Sequence, residues 1–164
     1  MRTTPAKHQV ADTWVVNASP LICLDKIGQV ALLSRLASVI VPAAVLSEIQ
    51  RGPRPLDPAT FGPHAIRQIP VIDPSVAVWD LGAGESEVLC CALAESATAI
   101  VDDRAARRCA NALGVPVRGT LRVLVDAKAA GLIPAVGPLV ERLRAAGLFL
   151  SERVVEHALK LAGE

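Results

Sequence analysis

Tyrosine is absent from this chain, and two Trp and two Phe are its whole aromatic complement, 2% of 164 residues. The core must therefore be built from Ala, Val, Leu and Ile, and few side chains are on hand to stack on bases. A basic excess is missing as well. Net charge is +1 with no basic tail, so composition by itself does not point to nucleic acid. The four cysteines, Cys23, Cys90, Cys91 and Cys109, form no C-x-x-C pair and two are adjacent, which argues against a zinc site or a disulfide framework. Buried thiols in a reducing cytoplasm are the reading that remains. No run approaches the ~20 uninterrupted apolar residues of a membrane helix. The most apolar segments are broken by Asn17, Pro20 and Pro42. Met1 to Asp12 carry charges but no apolar stretch of the kind a secretory signal needs, and residues 1–12 are expected to be a disordered leader.

What is present is aliphatic. Hydrophobic residues make up 52% of the chain, and the mean hydropathy of +0.43 is high for a soluble protein. Such a surplus suits a surface covered by a partner or by a second copy, so a homodimer is expected. The length fits one domain, residues 13–164, with no linker or repeat.

Short apolar runs alternate with helical patterns. Trp14-Val15-Val16 reads as a buried strand ending at Asn17, with Ser19 and Pro20 capping and opening a helix that Gly28 stops. Val30, Leu33 and Leu36 mark a second helix, and Ser38 to Val41 a second strand. Pro42 opens a helix with Val45, Leu46 and Ile49 on one side. Residues 53–64 hold four prolines and read as a mobile loop, followed by a strand-like piece at Ile69 to Ile72. Gly82 and Gly84 precede an amphipathic helix carrying Val88, Leu89, Ala92 and Leu93. Ala99 to Val101 and Val115 to Val117 read as strands around a helix from Arg104 to Leu113, and three helical stripes finish the chain. Strands of this kind predict a three-layer α/β/α fold around a central parallel sheet of four to five short strands.

Ligands in such sheets bind beyond the carboxyl ends of the strands. There the sequence places Asn17 after the first strand and Asp102-Asp103 after the fourth, with Glu48 and Glu85 on helices nearby. Carboxylates aimed toward a sheet are costly unless a cation neutralises them, and converging oxygens suit Mg²⁺ or Mn²⁺. Each residue has a plainer reading. Asp102 or Asp103 could cap the helix at Arg104, Glu85 could complement a helix dipole, Glu48 could be solvated, and Asn17 could form a turn or a cap. Glu87 and Glu95 flank the apolar stripe and read as solvated. Arg104, Arg107 and Arg108, at i, i+3 and i+4 of one helix, are candidates to grip phosphates, with Arg118 and Arg122 behind them. A phosphoacceptor receiver would want its acidic pair after the first strand, where this chain has Asn17. The P-loop pattern is absent.

The segments Trp14-Val-Val-Asn-Ala-Ser-Pro-Leu-Ile22, Val41-Pro-Ala-Ala-Val-Leu-Ser-Glu-Ile49, Leu81-Gly-Ala-Gly-Glu-Ser-Glu87 and Ile100-Val-Asp-Asp-Arg-Ala-Ala-Arg107 occur in an order that resembles PIN-domain proteins. With Gly119-Thr-Leu121 and Ala127-Lys128 they look like the DUF3368 branch, related to VapC-type toxins. The resemblance implies a metal-dependent endoribonuclease, often the toxin of a toxin–antitoxin pair, acting on RNA and held by a small antitoxin protein. It implies that Asn17, Glu48, Glu85, Asp102 and Asp103 surround Mg²⁺ or Mn²⁺, with Glu48, Glu85 and Asp103 catalytic and Ser19 supporting. Many PIN enzymes have Asp where this chain has Asn17. An amide carbonyl still coordinates a hard cation, but it brings no charge and accepts no proton from water. The alternative is therefore a catalytically silent PIN module that binds RNA or a protein partner.

Overall fold

The computed structural model describes residues 12–164. The leader expected over residues 1–12 lies outside them except for Asp12, whose carbonyl accepts from the Ser38 N–H at 2.9 Å.

Five strands, β1 (Thr13–Val16), β2 (Ser38–Pro42), β3 (Ile66–Arg67), β4 (Thr98–Ile100) and β5 (Val117–Arg118), form one all-parallel sheet in the order β3-β2-β1-β4-β5. Strands β1 and β4 are short apolar runs because both faces of the sheet are covered. Val15, Val16, Ala99 and Ile100 are all completely buried. The helices are α1 (Ala18–Lys26), α2 (Leu32–Leu36), α3 (Ala43–Arg51), α4 (Pro74–Ala77), α5 (Ala83–Glu95), α6 (Arg104–Ala112), α7 (Thr120–Ala129), α8 (Gly137–Ala145) and α9 (Glu152–Ala162). Helix α5 packs on β1, β2 and β4 and is flanked by α3, α4 and α6, while α7 gathers α1, α2 and α9. Trp14, only 2% exposed, is the one large aromatic in an otherwise aliphatic core.

Chain order explains where the site falls. From β1 the chain steps outward through β2 to β3, then returns to the other side of β1 for β4 and β5. Strand order reverses between β1 and β4, and such a point leaves a crevice at the carboxyl ends of the strands.

Two expectations need correction, and the proline-rich loop gains one local detail. The strand after the proline-rich loop is Ile66–Arg67, paired with Val41 and Pro42, and not Ile69 to Ile72. Pro70 lacks the N–H that a ladder needs there. The first helix is capped at Asn17, two residues earlier than Ser19, so Pro20 lies within the first turn, where its missing N–H would have had no intrahelical partner. The loop at residues 53–64 contains a 3-10 turn, Pro58–Phe61, capped by the Asp57 side chain.

Candidate functional site

Asn17 is fixed first. Its N–H donates to the Ile100 carbonyl at 3.0 Å, which continues the β1–β4 ladder one residue past the strand. Its backbone is extended, as an N-cap residue's is, yet its side chain makes no capping bond. Nδ2 instead donates to Glu85 Oε1 at 3.2 Å. A carboxylate only accepts, so the amide nitrogen must face Glu85 and the amide oxygen must turn the other way. That oxygen, Oδ1, is buried with no hydrogen-bond partner. An unmet buried acceptor costs about 1–3 kcal/mol, so it calls for a ligand.

What Oδ1 faces is defined by Gly84. A Cβ at this position would lie 3.2 Å from Asn17 Oδ1 and 3.2 Å from Glu48 Oε2, and 3.5 Å from Val45 Cγ2. The missing side chain lets α5 approach β1 and α3 closely, with an oxygen from each beside its backbone. The half-buried Glu85, one residue on, lies on the nitrogen side of the amide, with Oε1 on Asn17 Nδ2 and Oε2 folded back over Gly82. All the donors are hard oxygens, the set that suits Mg²⁺ or Mn²⁺. The residues of this cradle fit such an ion. Among the described residues, no group of three or more His, Cys, Asp or Glu side chains is placed to hold a metal ion.

Helix α3, which carries Glu48, is held in place by a residue that sequence reasoning took for solvated. Glu87 Oε2 accepts the Ala44 N–H at 2.8 Å, occupying one of the free donors at the start of α3. The partners are 43 residues apart, and no local pattern announces the bond.

The acidic pair behaves differently. Asp102 Oδ1 accepts from the Thr120 N–H at 2.8 Å and Oδ2 from the Thr120 hydroxyl at 2.6 Å, so Asp102 caps α7 from another strand. Thr120, 1% exposed, was missed as a functional partner although it lies within the quoted Gly119-Thr-Leu121 segment. Gly119 leaves room beside it. A Cβ there would sit 2.7 Å from Arg107 Nη1 and 2.9 Å from Asp102 Oδ1. Asp103 is exposed and caps its own helix, accepting from the Ala105 N–H at 3.0 Å. The structure thus brings Asn17, Glu48 and Glu85 together and occupies Asp102 and Asp103 with helix starts.

Ser19 is half-buried in the first turn of α1, near Cys23. Burial raises the Cys23 thiol pKa, the nearby Asp102 charge raises it further, and Ser19 tends to lower it. Burial also pushes Cys91 up to about 11, and Cys90 and Cys109 are raised mainly by the same cause, so these thiols stay protonated. Arg104 and Arg107 line a groove together with Asp102, whereas Arg108 is not among the residues that line it. Arg118 and Arg122 both pair with Asp126, and Arg118 lies over the Trp14 ring, 5.3 Å from its centre.

A parallel α/β domain with an oxygen cradle at its switch point has the architecture of a PIN domain. The chain belongs to the DUF3368 family of PIN domains, whose model matches residues 13–164, and so has a nuclease-like fold. Neither the curated proteins nor the solved structures yield a match. No helix among the described residues is long and apolar enough to cross a membrane.

Proposed function

We propose that this protein is a metal-dependent endoribonuclease whose ion is held by Asn17 Oδ1, Glu48 and Glu85, with Asp102 and Asp103 at the far side of the crevice. The observation that carries the reading is the buried, partnerless Asn17 Oδ1 beside Glu48 Oε2. A bound Mg²⁺ or Mn²⁺ supplies charge to the phosphodiester and a more acidic water. The chain's own part is positional. Asn17 is locked by the β4 ladder and by Glu85, so its oxygen needs no reorganisation to receive a ligand. Glu85, held by the amide, keeps a second oxygen available to orient an attacking water or accept its proton. The Asn in place of an acid has a local rationale: an aspartate would set its charge against Glu85, whereas the amide hydrogen-bonds to it.

The toxin role and the small antitoxin partner belong to the same reading and rest on the family resemblance. A short antitoxin-like reading frame beside the gene would support them. A homodimer, suggested by the aliphatic surplus, is tested by sedimentation.

The decisive experiment is cleavage of single-stranded RNA with Mn²⁺ or Mg²⁺ and with EDTA. Glu48→Ala and Glu85→Ala should each reduce ion-dependent cleavage by at least about 100-fold. Unchanged cleavage in both variants would remove this site. Asn17→Asp should raise activity if the uncharged ligand limits ion affinity. The second reading, a silent PIN module, is favoured by the engagement of Asp102 and Asp103 elsewhere. It predicts RNA or protein binding with no cleavage at any ion concentration.

A further inference from the structure

A groove of about 1340 Å³ runs from Asp102 and the β5–α7 turn to α9 and the segment before it, Leu148 to Ser151. Small-molecule pockets hold roughly 300–1,000 Å³, so this one suits a larger ligand. Its floor includes Leu121 and Val125, each 7% exposed. Its walls carry Arg104, Arg107, Arg153 and Lys160, and among the described residues none of these four pairs with a carboxylate. Only Asp102, already bonded to Thr120, and Glu156 oppose them there. At the rim stands Phe149, 90% exposed in a chain with only two phenylalanines. An aromatic left in water beside a row of unpaired cations gains nothing from folding, and it gains most from a ligand with flat faces and negative charge.

We propose that this groove is the path of the single-stranded RNA substrate, with Phe149 as a platform for one base and Arg104, Arg107, Arg153 and Lys160 along the phosphates. The proposal rests on the ribonuclease reading and extends it. It also locates the limited stacking expected of a chain so poor in aromatics. A second copy of the chain is a poorer occupant, because a two-fold contact on this face would set the same cations against one another. The groove begins at Asp102, just past the carboxyl end of β4, the strand paired with β1; Asn17, Glu48 and Glu85 do not line it.

The test is fluorescence anisotropy of a labelled single-stranded RNA on the full chain in EDTA, which separates binding from cleavage. Phe149→Ala should weaken binding about 5-fold to 100-fold, the range for losing one stacked base, and Phe149→Trp should restore it. The double variant Arg153→Ala/Lys160→Ala should lower the slope of log affinity against log salt by about 1.4, for two phosphate contacts on a single strand. Because Phe149 lies outside the core, thermal unfolding of Phe149→Ala should match the parent chain, confirming that the variant folds. Wild-type binding in both variants, or no RNA binding by the parent chain, overturns the groove. So does loss of a dimer in Phe149→Ala with RNA affinity intact, or saturable binding of an acidic peptide that Phe149→Ala abolishes while RNA affinity holds. Groove-dependent binding without cleavage would keep the path and refute the nuclease, whereas cleavage indifferent to Phe149 and Arg153 would do the reverse.

Discussion

Two groups of acidic residues flank the switch point of the sheet, and they look alike in the primary structure. On the β1 side, Glu85 meets Asn17 and Glu48 is drawn in over Gly84, leaving an oxygen with nothing to bind. On the β4 side, both oxygens of Asp102 and one of Asp103 are occupied by backbone N–H groups and a threonine hydroxyl. The first group holds a buried acceptor with no partner, whereas the second is engaged in capping helices. A carboxylate near a strand end signals chemistry only when its lone pairs remain free, and that depends on partners far away in sequence.

The sharpest way to break this contrast is Gly84→Ala. The new methyl would fill the point that Asn17 Oδ1 and Glu48 Oε2 share, so Mn²⁺ affinity should drop by about 10- to 100-fold. Thermal unfolding without the ion should change by no more than about 1–3 kcal/mol, the range for overpacking one methyl, so that the loss of ion response is separable from misfolding. Titration of Mn²⁺ followed by thermal shift checks both, and an undiminished ion response would show that the cradle is not where the metal sits.

Thr120→Val probes the opposite side. It keeps the shape but removes the hydroxyl bonded to Asp102, and stability to urea should decrease by about 2 kcal/mol, the scale for a hydrogen bond to a charged group. Ion affinity should remain as it was. Asp103→Ala should have a smaller effect, about 1 kcal/mol, the usual cost of an N-cap. If its ion affinity fell as far as that of Glu48→Ala, Asp103 would belong with the β1-side group, and the contrast would be lost.

The mildest effect lies outside the crevice. Glu164 accepts from Lys128 and from the N–H groups of Val136 and Gly137, and these bonds, Lys128 first, lower its pKa from 4.5 to about 2. The stability it confers is fully present above 4.5 and is lost as pH falls toward about 2. The difference in unfolding temperature between the parent chain and Glu164→Gln should therefore shrink across that window, and a constant difference would discount the carboxylate.

Much of the fold was legible because it depends on local pattern. Trp14-Val15-Val16 and Ala99-Ile100 are apolar without interruption, and the structure buries them as strands covered on both faces. Ile69 to Ile72 misled because apolar content alone cannot show which of two neighbouring segments finds Val41 and Pro42. At the site, Asn17 and Glu85 could be nominated from their places at a strand end and a helix start. Their bond to each other, the bond from Ala44 to Glu87, and the hold of Thr120 on Asp102 span 68, 43 and 18 residues, and no periodicity reports such distances.

The Glu87 contact has a mechanical side. One turn of α5 grips Asn17 through Glu85 and the head of α3 through Glu87, while the tail of α3 is tied by Gln50 to the Leu56 carbonyl in the proline-rich loop. The nine-residue helix α3 is thus pinned at its head by α5 and at its tail by that loop, with Glu48 between the two ties, so neither end is left to fray.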